Sequence, residues 1–122
     1  MKIAIPVDEQ SIKSSVSQSF GRTGYFFVYD TESKASIFLS NAAASSQGGA
    51  GIKAAQAVVD SRIDVLLTPR CGENAAEVIK SANIKIYKTM EGSAMENIDA
   101  MIEGKLSLLQ DIHPGYHGHG GS

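Results

Sequence analysis

The chain has 122 residues, 43% of them hydrophobic, and a formal net charge of −2, which suits one compact domain with one core. A single cysteine excludes an internal disulfide, no apolar run reaches the roughly 20 residues of a membrane helix, and the N-terminus lacks a signal-peptide layout. The 11 Lys and Arg residues are scattered singly, so no basic stripe could neutralise a phosphate backbone. We therefore expect a cytoplasmic protein that binds neither membranes nor nucleic acid.

The first 40 residues predict three strands. Residues 2–7 alternate, with Ile3, Ile5 and Val7 on one face, and end at Asp8. The β-prone runs 25–29 and 35–39 are joined by a polar connection of hairpin length, which predicts antiparallel neighbours. The serine-rich residues 10–19 are too poor in large apolar side chains to form core, so they predict a long loop or a mobile flap.

Beyond residue 47 the apolar period becomes helical. The pattern predicts helices near 49–62, 74–82 and 95–102, separated by the short apolar strands 65–67 and 84–87. Because this α-β-α-β-α order needs parallel strands with right-handed crossovers, residues 1–110 should form an α/β domain with a mixed five-stranded sheet flanked by helices. The residues expected to face the core are Ile52, Ala55, Val59, Ile63, Ala75, Val78, Ile79, Ala82, Met95, Ile98, Met101 and Ile102.

The composition changes at Asp111. All three histidines, His113, His117 and His119, fall in residues 111–122 among glycine and proline, which predicts a flexible tail. Imidazoles on a glycine-rich chain can converge on a metal at little steric cost. The alternative is a disordered terminus without a metal role.

Cys71 lies between the strand 65–67 and the helix 74–82, next to Arg70. The positive end of a helix dipole and an adjacent guanidinium both lower the pKa of a thiol, so we expect Cys71 to be accessible and to have a depressed pKa. Such a thiolate is a nucleophile or a ligand for soft metals. The competing interpretation is a small buried cysteine that only packs, which is the commonest fate of a free cysteine.

A glycine-rich stretch at residues 48–51 opens the first helix. It does not fit a dinucleotide site, because the preceding strand belongs to a hairpin and the following strand ends without a ribose-binding acid. It also lacks the Gly-Lys-Ser/Thr of a P-loop. What remains is a helix start of bare amides that an anion can approach. This start and the one at 71–74 should lie at the same sheet edge, which is the usual binding site of open α/β sheets.

The sequence resembles the dinitrogenase iron-molybdenum cofactor-binding family. The resemblance rests on the opening Met-Lys-Ile-Ala-Ile-Pro-Val-Asp, on Ser-Phe-Gly-Arg at 19–22 followed by Tyr25-Phe26, on the glycine loop 48–51, on the strand Asp-Val-Leu-Leu at 64–67 and on the histidine-glycine tail. It covers nearly the whole chain in order. It implies a ribonuclease H-like fold without nuclease activity, and the binding or carriage of metal-sulfur clusters such as iron-molybdenum cofactor precursors or other molybdenum clusters.

The residues agree with such a cargo. Metal-sulfur clusters are often anionic, so helix-start amides and arginines would hold them, with a thiolate or imidazole as anchor. One cysteine cannot build a four-cysteine site, so the cluster would arrive preassembled and pass to an assembly or acceptor protein. The candidate cofactor-binding residues are Arg22, Gly48, Gly49, Gly51, Arg70 and Cys71, and the candidate metal ligands are Cys71, His113, His117 and His119.

Two enzymes and one non-enzyme compete with a carrier. A nuclease of the ribonuclease H type would use Asp8, but Asp60 and Asp64 should lie at the opposite sheet edge. A cysteine phosphotransfer enzyme could use Cys71, although a Cys-x5-Arg loop would need arginine where Glu77 stands. A metal-free regulatory interaction domain is the third alternative. We expect a binding protein rather than an enzyme.

Overall fold

The computed structural model describes residues 1–110, so the predicted tail at 111–122 lies outside the described residues. A 3₁₀ helix at Ala42–Ser45, which the sequence pattern did not predict, precedes the first α-helix. The remaining elements are the strands β1 (Lys2–Val7), β2 (Tyr25–Asp30), β3 (Ser36–Ser40), β4 (Val65–Leu67) and β5 (Lys85–Tyr87), and the helices α1 (Ala50–Asp60), α2 (Glu73–Ser81) and α3 (Ala94–Ile102).

The five strands form one mixed sheet in the order β3-β2-β1-β4-β5. The pairs β1–β2 and β2–β3 are antiparallel, whereas β4 runs parallel to both β1 and β5. The predicted α/β class, the hairpin and the parallel second half are therefore confirmed. The finer likeness to ribonuclease H stays a prediction.

Both faces of the sheet are covered by helices. On one face Ala4 and Leu66 pack with α1 and α2, and on the other Ile3, Ile5 and Leu67 pack with α3. Ile3, Ala4, Ile5 and Leu66 are each 0% exposed. Burial on both faces fits the position of β1 and β4 in the middle of the sheet and the continuous apolar run of β4, and it explains why Ala4, which faces away from Ile3 and Ile5, is also apolar.

The predicted inward stripe of α1 is partly wrong. Ile52 is 45% exposed, whereas Ala54 and Ala55 are fully buried. The reason is that α1 and α2 approach each other through small residues: a side-chain carbon on Gly51 would lie 3.6 Å from Cβ of Ala75. Two further residues that were predicted to face the core are exposed instead, namely Ala82 at the end of α2 and Ile102 at the end of α3.

The serine-rich segment is a loop, as predicted, but it is bonded to the domain and is not a free flap. The amide of Ser17 donates to Pro6 O at 2.9 Å, and Ser14 O accepts from the amide of Ala94 at 3.0 Å. Ser14 and Ser17 are buried despite their polarity. The segment therefore connects the end of β1 to the start of α3.

Within residues 1–110, no helix combines the length and apolarity needed to cross a bilayer.

Candidate functional site

A cleft of about 500 Å³ opens where β1 and β4 end, and three segments form its wall: residues 18–22, 49–52 and 70–75. These segments follow β1, begin α1 and lead into α2. The cleft thus brings together five of the sequence-predicted residues, which are Arg22, Gly49, Gly51, Arg70 and Cys71. Gly48 lies just outside the wall, where its carbonyl accepts a hydrogen bond from Ser46 Oγ at 2.7 Å.

Two glycines bring the first two wall segments into backbone contact. A side-chain carbon on Gly21 would lie 2.8 Å from the amide nitrogen and 2.9 Å from Cα of Gly51. Real carbon atoms do not sit that close to backbone, so only glycine fits at position 21 without displacing the start of α1. The Phe-Gly-Arg segment is therefore shaped around the glycine-rich helix start.

Buried polar contacts fix the Phe-Gly-Arg segment from behind. The Nδ2 group of Asn41, which is 7% exposed, donates to Gly21 O at 3.0 Å and to Thr23 O at 2.9 Å. The Nη1 group of Arg22 donates to Ala44 O at 3.0 Å and to Ser46 O at 2.9 Å. One end of the Arg22 guanidinium therefore holds the loop before α1, which leaves Nε and Nη2 as the donors for a ligand.

The helices α1 and α2 both begin at the cleft without a side-chain cap. The N-cap of α1 is Gly49, at φ +68°, and the N-cap of α2 is Gly72. Neither glycine has a side chain to accept from the first amides, and no side chain among the described residues takes that place. Unpaired amides at a helix start and the positive end of the dipole favour an anion.

The side chains at the rim carry both signs of charge. Arg70 is exposed, and its guanidinium makes no hydrogen bond or ion pair with residues 1–110. Its backbone is fixed, because Thr68 Oγ1 donates to Arg70 O at 2.9 Å. Glu73, in the first turn of α2, is also exposed in the wall. The wall therefore has two arginines against one carboxylate.

Cys71 differs from its sequence-based prediction. Its side chain is 1% exposed and packs in the core beneath α2, with Ala75 and Ile79. Burial raises the pKa of the Cys71 thiol to about 11, and the weaker attraction of Lys80 lowers it only in part. The expected accessible thiol with a depressed pKa is thus wrong. The N-cap is Gly72, so Cys71 precedes the helix start, and its side chain enters the core instead of meeting the amides.

Residues 1–110 contain no cluster of three histidine, cysteine or acidic side chains arranged to hold a metal ion. The carboxylate of Asp64 accepts from the amide of Lys2 at 2.7 Å, at the start of β1. It therefore lies at the edge opposite to Asp8, as the sequence predicted, and the carboxylate cluster of a nuclease is not assembled there. The candidate ligands His113, His117 and His119 lie outside the described residues.

Sequence reasoning missed part of the wall. Phe20, Gly21, Glu73 and Asn74 all line the cleft, although none was named among the candidate cofactor-binding residues. The Phe-Gly-Arg motif was the available signal for Gly21, since a glycine between an aromatic and a cation suggests a close approach of backbone. Nothing local in the sequence indicated that its neighbour would be Gly51.

Comparison with known proteins identifies the group to which the chain belongs. The family model described as dinitrogenase iron-molybdenum cofactor matches residues 1–104. The apo form of the orange protein from Desulfovibrio gigas is similar, with 28% identity, a TM-score of 0.84, and coverage of 89% of this chain and 92% of that chain. A NifB-like protein from Thermotoga shares 34% identity with a TM-score of 0.79, each chain being 98% covered.

A dinitrogenase-like protein from Methanocaldococcus jannaschii has 21% identity, a TM-score of 0.69, and coverage of 90% and 95%; it supports the fold alone. No curated protein matches the sequence. The family match spans all three segments of the cleft wall. The chain therefore belongs to the dinitrogenase iron-molybdenum cofactor family.

Proposed function

We propose that this protein binds a preassembled, anionic metal-sulfur cluster in the cleft and carries it to an acceptor protein in the cytoplasm. The cargo would be an iron-molybdenum cofactor precursor or another molybdenum or iron cluster, in keeping with the family. The observation that supports this most is the meeting of two uncapped helix starts with two arginines in one cleft.

The proposed site works mainly by electrostatics and hydrogen bonding. Amides at the starts of α1 and α2 would donate to the sulfides of the cluster, and Arg22 and Arg70 would neutralise its charge. Charge-assisted hydrogen bonds are roughly twice as strong as neutral ones. The carboxylate of Glu73 repels an anion and so weakens its binding. This repulsion would help the protein to release the cluster to an acceptor.

We propose that side chains coordinate the metal directly only after the cluster has bound to the amides and arginines. Because Cys71 is buried and its thiol is neutral at pH 7, coordination by sulfur requires both local opening of the wall and loss of a proton. The amides and arginines would therefore make the first contact, and Cys71 would follow. His113, His117 and His119 are proposed as supplementary ligands, at the entropic cost of ordering a glycine-rich chain.

The burial of Cys71 also favours a carrier over a cysteine-dependent enzyme. A nucleophilic thiol needs an accessible thiolate, whereas burial raises the pKa of Cys71 to about 11. A Cys-x5-Arg phosphate loop that begins at Cys71 would also need arginine at position 77, where Glu77 stands. We therefore propose binding and transfer of a cluster, without catalysis.

The test is an anaerobic titration of a synthetic, anionic molybdenum-iron-sulfur cubane into the protein, followed by its charge-transfer absorption. Arg70→Ala should weaken binding by about tenfold, which is 1.4 kcal/mol, because an unpaired cation is lost from the rim. The matched control is Lys2→Ala, which removes one positive charge near the opposite end of β1. Equal affinity of the two variants would contradict the proposed site.

A second arm separates the cleft from the tail. Cys71→Ala combined with Arg70→Ala should weaken uptake severely, whereas a chain ending at Ile112 should lose affinity only modestly. If the truncated chain takes up no cluster while the double variant binds normally, the site belongs to the histidines and the cleft assignment is wrong.

A further inference from the structure

The two outer strands of the sheet differ in how their free edges are treated. Along β5, the chain returns to pair with the edge: the amide of Leu109 donates to Ile86 O at 2.9 Å, and the amide of Lys88 donates to Ser107 O at 2.8 Å. Along β3, no part of residues 1–110 makes the corresponding hydrogen bonds. Unpaired strand edges attract other strands unless charge, proline or a bulge prevents it.

The hydrogen-bond alternation identifies the free groups on β3. Two bonded pairs flank the strand, since the amide of Asp30 donates to Ala35 O and the amide of Asn41 donates to Gly24 O. In an antiparallel ladder such pairs recur at every second residue, so Ile37 and Leu39 also bond to β2. The amides and carbonyls of the three remaining residues, Ser36, Phe38 and Ser40, therefore point away from the sheet.

We propose that β3 pairs with β3 of a second copy of this chain, so that two five-stranded sheets join into one. The sequence of the strand, Ser-Ile-Phe-Leu-Ser, has the same chemical pattern in both directions. An antiparallel two-fold pairing centred on Phe38 therefore sets serine opposite serine and Ile37 opposite Leu39. This pairing satisfies all the outward groups of both strands at once.

The side chains on both faces support the same partner. Ile37 is 55% exposed, and in the dimer it would lie beside Leu39 of the second copy. Leu39 lines an apolar cavity of about 170 Å³ between β3 and α1, which the second copy would help to cover. On the other face the two Phe38 rings would meet, extending the contact of Phe38 with Phe27, whose ring centroids are 4.9 Å apart.

Charge does not oppose this contact. The strand contains no charged residue, and the nearest one, Lys34, would face Ala42 of the second copy in this register. The interface is small, so the dimer should be weak, with a dissociation constant on the order of 10 µM. The cleft lies beyond β2, at the ends of β1 and β4, so this inference stands independently of the proposed function.

The first test is sedimentation velocity of the full chain over a concentration series that brackets 10 µM by about tenfold each way. The wild-type chain should pass from monomer to dimer, and Ile37→Lys should weaken the dimer at least tenfold by placing a desolvated cation at the interface. The matched control is Ile102→Lys, at a residue that is 51% exposed on α3, and it should dimerise like wild type. A wild-type chain that stays monomeric, or a dimer that both variants affect equally, would overturn the proposal.

The second test reads the register. Ser36→Cys combined with Ser40→Cys should give a disulfide-linked dimer under mild oxidation, because paired positions on adjacent strands fall within disulfide reach. The two sites within one chain lie about 13 Å apart and cannot join each other. Either single variant would place its new cysteine at least as far from its symmetry mate, so neither should cross-link. Cross-linking of a single variant as fast as the double variant, or no cross-linking at all, would contradict the two-fold pairing.

Discussion

The N-termini of α2 and α3 differ in how the first amides of the helix are satisfied. At α3 the amides are satisfied internally: Ser93 Oγ accepts from the amide of Glu96 at 3.2 Å, and the Glu96 carboxylate accepts from the amide of Ser93 at 2.8 Å. At α2 the N-cap is Gly72, which offers no acceptor. The closed start contributes to stability, whereas the open start leaves its first amides without a side-chain acceptor.

The two starts differ at the N-cap, where Gly72 stands in place of a serine such as Ser93, and at the third helical residue, where Ala75 stands in place of a glutamate such as Glu96. Gly72 adopts φ −71° and ψ 159°, an extended conformation open to any residue, so glycine is not needed there for its backbone freedom. Ser93 adopts nearly the same angles, φ −76° and ψ 171°, and caps its helix. The lack of a cap at α2 is thus not forced by geometry, which supports a ligand as the missing acceptor.

The largest effect should come from forcing the cleft segments apart. Gly21→Ala places a carbon 2.8 Å from the amide nitrogen of Gly51, so the start of α1 must shift. We expect a loss of about 1–3 kcal/mol in the free energy of unfolding, together with loss of cluster uptake. Chemical denaturation measures the first and anaerobic titration the second.

Gly48→Ala is the matched control for that substitution, since a carbon added at Gly48 meets no atom within 4 Å. It should leave both stability and uptake near the wild-type values. Equal destabilisation by both alanines would mean that the contact between the two wall segments is not what limits the site.

A smaller effect is expected when the uncapped N-terminus of α2 is given a side-chain cap. Gly72→Asp should cap α2 and raise the free energy of unfolding by a few tenths of a kcal/mol, because aspartate accepts from the first amides. It should also weaken binding of an anionic cluster by about tenfold or more, because the new carboxylate occupies the donors. Tighter binding by this variant would show that the α2 amides do not hold the anion.

The reverse change at α3 should affect stability alone. Ser93→Ala removes one half of the capping box and should lower the free energy of unfolding by about 1 kcal/mol. Cluster affinity should be unchanged, since the α3 start does not line the cleft. Denaturation and titration of the same preparation give both values, and a parallel fall in affinity would mean that the two starts are not functionally distinct.

The smallest effect under ordinary conditions concerns the thiol beside the open start. Burial raises the pKa of Cys71 from 9.0 to about 11, so the folded chain holds its proton more tightly than the unfolded chain does. The stabilising contribution is complete below pH 9 and is lost as the pH rises from 9 towards 11.

Cys71→Ala should lack this slope when unfolding is measured between pH 8 and about 11, and alkylation of the native thiol should be slow across the neutral range. Rapid alkylation of folded wild-type protein at pH 7 would contradict the buried position of Cys71 and would restore the enzyme interpretation.

Local patterns were enough to predict most of the fold. The bounds of β1 agree with the predicted 2–7, because alternation and the polar stop at Asp8 are both local signals. The face of α1 was misjudged because its buried residues are mainly alanines, which carry little hydrophobic signal, while the larger Ile52 faces the cleft. Where two helices pack closely, as α1 and α2 do, small residues are buried and large apolar residues do not mark the buried face.

The meeting of the two helix starts in one cleft was predictable, but the burial of the Cys71 thiol there was not. The rule that ligands bind beyond the carboxyl ends of parallel strands placed both helix starts in one cleft. The protonation of Cys71 was not predictable, because a shift of one residue between an N-cap and its neighbour decides whether the thiol meets amides or core. The contact of Gly21 with Gly51 joins distant parts of the chain, so no local pattern reports it.

The serine-rich segment has a mechanical consequence for the two faces of the sheet. Its first half accepts hydrogen bonds from the amides of Ala94 and Met95 at the start of α3, through Ser14 O and Ile12 O, while the chain just beyond it forms the cleft wall at 18–22. If the proposed cluster displaces the wall when it binds, we therefore expect the displacement to reach α3, which packs on the other face of the sheet. In hydrogen exchange, these two amides should lose or gain protection together with the wall, so that loading of the cleft is read out on the far side of the molecule.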